Sequence, residues 1–293
     1  MSTNLKNKIE ASDKNINDLL KDQKFFIDYF QREYRWEERH MVALIEDLTT
    51  TFLNHYDANH ERQEVANYPS YYLGPVVFSE SDGCNSIIDG QQRITSITLL
   101  LIFLHNLQKD RHEKVPISSL VFSEKYGNKS FNMTDDDRKD ILKALYETGE
   151  YHLKDDEDAT VINISQRYED IHKNFPEELQ DDALPYFIDW FIDKVILVKI
   201  KAYSDENAYT IFETMNDRGM NLTSSEMLKG YVLSRIHDPE KRSKLNEVWK
   251  EQMLSFHEWD KDADQEFFKA WFRAKYAQSI RQVKQVLKIR IMS

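Results

Sequence analysis

The segment from Asp89 to Arg93, with the sequence Asp-Gly-Gln-Gln-Arg, combines residue types that could bind phosphate. A short apolar stretch precedes it, and an apolar helical pattern follows from Ile94. The pattern therefore predicts a strand, a glycine turn and a helix that begins at the motif. The first N–H groups of a helix have no partner within the helix, and its dipole is positive there, so anions bind at this end. These residues predict a nucleotide or nucleic-acid phosphate as the ligand.

A second polar segment, residues 212–222, ends one predicted helix and precedes another. Gly219 suits the left-handed conformation in which many helices end. Glu213, Asn216 and Arg218 supply more polar groups than a turn between helices requires. Taken alone, the segment is explained by a well-capped turn with surface charges.

A third segment, Phe30-Gln31-Arg32 followed by Tyr34 and Trp36, is rich in aromatic residues and arginine. Taken alone, it is typical of an aromatic cluster packed on the core with an arginine stacked upon it.

Together, the three segments resemble the GmrSD-type restriction endonuclease family in its N-terminal, GmrS-like domain, which is akin to the ParB/sulfiredoxin nucleotide-binding fold. The matching positions occur in the family's order and cover most of residues 20–235. They are Phe30, Gln31, Arg32, Tyr34, Trp36, Leu73, Gly74, Ile88 to Arg93, Thr95, Phe212, Glu213, Asn216, Arg218, Gly219, Leu222, Leu228 and Lys229.

Two features depart from the family pattern. Asp28 stands where the family usually has proline, so the entry into the first segment is expected to have a different shape. No histidine-rich HNH nuclease core is recognisable, and His257 is the last histidine. Longer members of the family carry an HNH domain or associate with one, so DNA cleavage at an HNH site is not transferred to this chain.

The resemblance implies an α+β, mostly helical fold. We expect a small ParB/sulfiredoxin-like mixed sheet with surrounding helices in a nucleotide-binding domain of residues 15–235. A C-terminal helical region is expected over residues 236–293, without the HNH domain. The implied function is the binding and hydrolysis of a nucleoside triphosphate (NTP) in a modification-dependent, type IV-like restriction system that defends against phage.

The resemblance places the nucleotide at Asp89 to Arg93, and the chemistry of each residue suggests its role. Gly90 would let the backbone approach a phosphate, and Arg93 would pair with its charge. Asp89 would hold Mg²⁺ or orient a water, because Mg²⁺ favours a carboxylate together with phosphate oxygens. Gln91 or Gln92 would position the attacking water.

Glu213 is the candidate general base or second metal ligand. The remaining candidates for binding the nucleotide or its phosphates are Gln31, Arg32, Thr95, Asn216 and Arg218. Two alternatives stay open: a nucleotide- or DNA-sensing module without turnover, and a metal-dependent nickase that uses Asp89 and Glu213.

Composition narrows the class of protein. The net charge of −12 argues against a generic DNA-coating protein, and a single cysteine, Cys84, excludes an intramolecular disulfide framework and a cysteine zinc cluster. The N-terminus lacks an apolar signal core, and the longest apolar run, Ile97 to Leu104, is too short to span a bilayer. We therefore expect a soluble, cytoplasmic protein without a membrane partner.

The end of the chain is basic, since no acidic residue follows Glu266. This segment would serve DNA, a partner protein or an intramolecular contact, or form a solvated helix face. Its basic residues are Lys269, Arg273, Lys275, Arg281, Lys284, Lys288 and Arg290. Other candidate partners are modified DNA, a separate HNH nuclease subunit and a second copy of the chain.

The elements that must position these residues follow from the apolar pattern. A hairpin is predicted from residues 71–78 and 85–89 around the turn at residues 81–83, and a buried strand at residues 196–200. Residues 1–14 are expected to be loosely ordered. Helices are predicted at residues 16–21, 37–54, 93–109, 135–148, 164–175, 184–193, 205–215 and 224–236, from residue 239, and at residues 263–276.

Overall fold

A computed structural model describes residues 9–27, 34–81, 84–125, 128–134, 136–155, 157–203, 207, 210–211, 224–236, 238–257, 259–260 and 263–276. The described residues confirm the α+β, mostly helical class. The chain divides into two compact units. The first unit comprises Met1–Ile27 and Glu33–Ala208, and the second unit comprises Asp28–Arg32 and Tyr209–Ser293. The predicted domain boundary at residue 235 stays a prediction.

The first unit contains a mixed sheet of six strands and, beside it, a separate two-stranded pair, β5 with β6. The sheet order is β1-β8-β3-β4-β2-β7. The strands are β1 (Ile9–Asn15), β2 (Phe25–Ile27), β3 (Tyr71–Ser81), β4 (Cys84–Asp89), β5 (Phe122–Lys125), β6 (Asn128–Phe131), β7 (Met133–Thr134) and β8 (Val195–Ala202). The predicted hairpin is confirmed, because β3 and β4 pair antiparallel, and the predicted strand at residues 196–200 is confirmed as β8.

The helices of the described residues largely follow the apolar pattern of the sequence. They are α1 (Ile16–Leu20), α2 (Glu38–Leu53), α3 (Gln91–Leu107), α4 (Ser118–Val121), α5 (Asp136–Thr148), α6 (Ala159–Asn174) and α7 (Leu184–Lys194) in the first unit, and α8 (Ser224–Ser234), α9 (Pro239–His257) and α10 (Ala263–Tyr276) in the second. Short 3₁₀ helices lie at Arg62–Asn67 and Glu177–Leu179. The predicted helix at 205–215 lies mostly outside the described residues. None of the described helices is long and apolar enough to cross a membrane.

The direction of the strands brings several chain segments to one edge of the sheet. Strand β2 pairs parallel with both β4 and β7, so the carboxyl ends of these three strands point the same way. Helix α3 follows β4 directly, and α5 begins two residues after β7. Ligand sites of open sheets that contain parallel strands commonly lie beyond such carboxyl ends. The topology therefore puts the start of α3 where a ligand could bind.

Helix α3 lies in the core of the first unit and packs against α4, α5 and α6. From Gln91 to Leu104 every residue except Arg93 is buried. A helix that is buried on all sides is central to its fold, so its position is fixed by contacts along its whole length.

For residues 9–14, strand β1 corrects the expectation that the start of the chain is loosely ordered. It forms an edge strand, antiparallel to β8, with register pairs from Ile9↔Ala202 to Asn15↔Ile196. The segment is polar and lacks the alternating apolar pattern of a strand. Its pairing depends on backbone hydrogen bonds, which the sequence pattern does not predict.

In the second unit α8, α9 and α10 pack on one another. An apolar groove of about 230 Å³ lies between α9 and α10. Its lining residues are Leu245, Val248, Trp249, Gln252, Met253, Phe256, Phe267 and Phe268.

Candidate functional site

Gly90 joins β4 to α3 in a conformation that favours glycine. Its φ is 95° and its ψ is 7°, in the left-handed region. A Cβ atom at this position would lie 2.6 Å from Cγ1 of Val76 and 3.2 Å from its Cα, so a larger residue would collide with β3. The first helical bond runs from the N–H of Ile94 to the Gly90 carbonyl at 3.0 Å. Glycine therefore lets the start of α3 press against the neighbouring strand.

The N-terminus of α3 has the electrostatic character of an anion site. Gly90 has no side chain with which to cap the helix, and the first turn carries no acidic residue. Acidic side chains often stabilise the positive end of a helix dipole, whereas this first turn contains Arg93. The half-buried Asp89, the last residue of β4, lies immediately before the helix. The helix dipole and the Arg93 charge favour a bound anion, whereas the Asp89 carboxylate favours a cation beside it.

Arg93 is held against β3. Its Nη1 donates to the Pro75 carbonyl oxygen at 3.0 Å. Its guanidinium packs on Gly74, whose φ is 124° and whose added Cβ would lie 3.2 Å from Nε of Arg93. A guanidinium has five N–H donors, so this bond is compatible with pairing to an anion. Sequence reasoning used Gly74 only as part of the family pattern and did not find that it makes room for Arg93.

The side-chain oxygens of the two glutamines face protein donors. Gln91 and Gln92 are only 2% and 8% exposed. Oε1 of Gln92 accepts from the backbone N–H of Arg35 at 2.9 Å, and Oε1 of Gln91 accepts from Nη2 of Arg138 at 3.4 Å. Gln92 thereby links the motif to the aromatic segment that precedes α2. The water-positioning role of either glutamine stays a prediction.

The described part of the aromatic segment, residues 34–36, is fixed to α3 and α6. The Tyr34 and Ser96 hydroxyls share a buried hydrogen bond of 2.8 Å, and burial raises the pKa of Tyr34 well above its ordinary value. Nδ2 of Asn163 donates to the Tyr34 carbonyl at 2.8 Å, and Nη1 of Arg167 donates to the Trp36 carbonyl at 2.9 Å. Aromatic packing on the core, the simpler interpretation of this segment, thus holds for Tyr34.

Arg138 is a component of this region that sequence reasoning missed. It is 3% exposed, and its Nη1 donates to Oγ1 of the fully buried Thr95 at 3.0 Å. It follows the acidic run at residues 135–137, which is typical of a solvated surface. Helical spacing could have found it, because Arg138 continues the face formed by the buried residues Ile141, Leu142 and Leu145.

The structure thus brings together the predicted site residues around the start of α3, namely Asp89, Gly90, Gln91, Gln92, Arg93 and Thr95. The other predicted site residues, Gln31, Arg32, Glu213, Asn216 and Arg218, lie outside the described residues. Within the described ranges no group of three or more His, Cys, Asp or Glu side chains could hold a metal. Mg²⁺ is often bound by one or two carboxylates plus phosphate oxygens, so the single carboxylate of Asp89 fits such an ion.

Comparison with known families gives one match. The family model described as "GmrSD restriction endonuclease, N-terminal domain" matches residues 16–233, which is more than half of the chain. The matched range begins at α1, includes the start of α3 with every contact described above, and ends within α8. No curated protein matches the chain.

Proposed function

The chain belongs to the GmrSD restriction endonuclease family through its N-terminal domain, and on that premise we propose that it binds and hydrolyses a nucleoside triphosphate at the start of α3. As a member of this family it is a component of a restriction system. The observation that carries the proposal is the left-handed conformation of Gly90, which lets the N-terminus of α3 lie against Val76. Arg93 follows in the first turn of this helix.

Binding would rest on three groups around the phosphates. The N–H groups of the first turn of α3 would donate to phosphate oxygens, and Gly90 would permit their close approach. Arg93, held by the Pro75 carbonyl, would neutralise phosphate charge. One hydrogen bond to a charged group contributes about 1.5–3 kcal/mol, so the loss of Arg93 should weaken binding about 10- to 100-fold.

Hydrolysis would require a water, a leaving group and charge neutralisation. The water oxygen would attack the γ-phosphorus while the bond to the bridging oxygen breaks, giving a nucleoside diphosphate and inorganic phosphate. Asp89 would hold Mg²⁺ jointly with phosphate oxygens, and the bound ion would neutralise developing charge. Gln91 or Gln92 would orient the water, and Glu213 is proposed as the base that accepts its proton.

Membership of a restriction family supports the proposal that nucleotide turnover is coupled to the recognition of modified DNA in the cytoplasm. DNA cleavage would belong to an HNH domain or subunit, and a second copy of the chain would be a further partner.

Lys269, Arg273 and Lys275 on α10 are the described members of the basic segment proposed to contact DNA. Removing residues 277–293 should reduce DNA affinity and its salt dependence, and an unchanged salt slope would contradict this role of the segment.

The proposal is tested with purified protein, Mg²⁺ and each of the four common NTPs. Binding is measured by calorimetry and turnover by phosphate release, for the wild type and for Arg93→Ala. Arg111→Ala is the matched control, because Nη1 of Arg111 also donates to a backbone carbonyl, that of Gln180. We expect Arg93→Ala to lose affinity and turnover while Arg111→Ala keeps both, with both melting temperatures near that of the wild type.

Other outcomes distinguish the alternatives. Nucleotide binding without phosphate release would favour a sensor. Metal-dependent nicking of DNA without an HNH partner would favour a nuclease at this site. Absence of binding by every NTP would overturn the proposal, and a large fall in the melting temperature of Arg93→Ala would show that its bond to Pro75 is chiefly structural.

A further inference from the structure

The geometry points to Arg138 as a positioning residue of the nucleotide site, which sets the orientation of the Gln91 amide and adds positive charge behind the phosphates. This inference rests on the proposed function. Arg138 belongs to none of the three segments on which the family resemblance stands, and no role follows for it from its sequence context.

The first support is that Arg138 bridges two positions on one face of α3. Its Nη1 lies 3.0 Å from Oγ1 of Thr95 and its Nη2 lies 3.4 Å from Oε1 of Gln91. Gln91 and Thr95 are four residues apart, so they are neighbours on the helix surface. A planar guanidinium reaches both oxygens at once, which the single ammonium group of lysine does less well.

The second support is the topology of the sheet edge. Strands β4 and β7 both pair parallel with β2, so α3 and α5 begin at the same edge. Arg138 lies in the first turn of α5 and is 3% exposed. It therefore brings a buried positive charge to the edge at which the dipole of α3 and the Arg93 side chain already favour an anion.

The hydrogen bond to Arg138 has a consequence for the chemistry of Gln91. An amide has an acceptor end and a donor end, and Oε1 of Gln91 accepts from Arg138. The opposite end of the side chain, Nε2, is a donor and suits a phosphate oxygen. Arg138 thereby favours phosphate binding as the role of Gln91, and the Arg35 N–H orients the Gln92 amide in the same way.

The role is tested by a double-mutant cycle in the full chain. Affinity for a non-hydrolysable NTP analogue with Mg²⁺, together with kcat and KM, is measured for the wild type, Arg138→Met, Gln91→Met and the double variant. We expect Arg138→Met to weaken binding about 10-fold or more, the range expected for losing a hydrogen bond to a charged group. In the Gln91→Met background, the same substitution should weaken binding less than about 3-fold, because coupled residues are not additive.

Two further variants separate positioning from stability. Arg62 lies on the 3₁₀ helix that packs on α7, and it pairs there with Asp189 of α7. Arg62→Met removes this ion pair and should lower stability without changing nucleotide affinity. Arg138→Lys keeps the charge but not the fork, so it should recover part of the affinity. This variant also provides the measurement if Arg138→Met does not fold, and wild-type affinity in Arg138→Lys would then overturn the inference.

The outcomes for this inference and for the proposed function are distinct. If the wild type binds no nucleotide, both the proposed function and this inference are overturned. If Arg93→Ala weakens binding while Arg138→Met binds like the wild type, the inference fails alone. If Arg138→Met and Gln91→Met weaken binding additively, Arg138 does not act through Gln91 and its positioning role is overturned.

Discussion

The two halves of α3, residues 91–98 and 99–104, are both buried apart from Arg93, and they differ in chemistry. The first half buries polar residues, namely Gln91, Gln92, Thr95, Ser96 and Thr98, together with Ile94 and Ile97. The second half buries Leu99, Leu100, Leu101, Ile102, Phe103 and Leu104. One helix therefore carries two kinds of core, and only the polar kind adjoins the candidate site.

The difference shows how stability and site geometry are divided along the helix. Full burial of a leucine side chain contributes about 1.5–3 kcal/mol, whereas a typical hydrogen bond contributes only about 0.5–1.5 kcal/mol net. The polar half instead fixes groups from distant parts of the chain, because Tyr34, Arg35 and Arg138 all bond to it. We infer that the apolar half mainly stabilises the first unit and the polar half mainly positions the site.

The largest effect on stability should come from the apolar half. Leu101 is fully buried, so Leu101→Ala should lower the free energy of unfolding by about 2–5 kcal/mol through lost burial and a cavity. Nucleotide affinity, measured well below the melting temperature, should stay unchanged. The control is Leu153→Ala, because Leu153 is 46% exposed. Denaturant unfolding gives the comparison, and a parallel loss of affinity in Leu101→Ala would break the division proposed here.

A smaller loss of stability with a complete loss of binding is expected from Gly90→Ala. The positive φ and the approach to Val76 should together cost about 2–4 kcal/mol. Gly149→Ala is the matched control, since Gly149 also has a positive φ, 82°, but its added Cβ would meet only Asn106 at 3.7 Å. It should cost about 1 kcal/mol, the conformational part alone. Equal losses of unfolding free energy in the two variants would show that Val76 moves aside without destabilising the fold.

The Tyr34–Ser96 bond allows a third test within the polar half. Tyr34→Phe and Ser96→Ala should each cost about 1–2 kcal/mol, because each leaves a buried hydroxyl without its partner. The double variant should cost less than the sum, which thermal unfolding of all four proteins can measure. Additive losses would mean that the two hydroxyls contribute separately.

The smallest expected effect is on the pH dependence of stability, which should have opposite signs for the histidines near the apolar half and for Tyr34 at the polar half. Burial lowers the pKa of His105, which stacks on Tyr146, and of His172, which meets Phe103 edge to face. A lowered pKa stabilises the folded state above the ordinary value of 6.5 and loses that contribution as pH falls below it. Because both rings are partly exposed, the loss should be only a few tenths of a kcal/mol each.

The pH comparison uses His105→Gln with His172→Gln, which should flatten the fall in melting temperature between about pH 7.5 and 5.5. At the polar half the sign reverses, because burial raises the pKa of Tyr34. Its contribution is present below the ordinary value near 10 and is lost as pH rises above it, so Tyr34→Phe should reduce alkaline destabilisation. If the melting temperature of the histidine variant falls with pH as steeply as that of the wild type, the two histidines do not cause the acid destabilisation.

Local pattern predicted the elements whose boundaries depend on neighbouring residues. The strand, Asp-Gly turn and helix at Asp89 to Arg93 are confirmed, and the predicted helix at 263–276 has the bounds of α10. In α10, acidic residues in the first turn and basic residues in the last complement the helix dipole, so charge and apolar spacing agree.

Long-range pairing and burial of charge were not predictable in this way. The parallel pairing of β2 with β4 and β7 depends on registers between distant segments, and β7 is only two residues long. Arg138 is buried by partners on another helix, although charged residues are mostly exposed. For Gln31, Arg32 and Glu213, which lie outside the described residues, the predicted roles stay predictions.

The pairing of β2 with β7 also bears on when the site is assembled during folding. Phe25 pairs with Met133, so this contact closes a long stretch of chain and must first offset the entropy of that loop. Arg138, just beyond β7, is brought to Gln91 by the same closure. Contacts of such sequence separation slow folding. We therefore expect α3 to form early as a local element and its polar half to gain its partners late, so that the proposed anion site is assembled only after most of the first unit has folded.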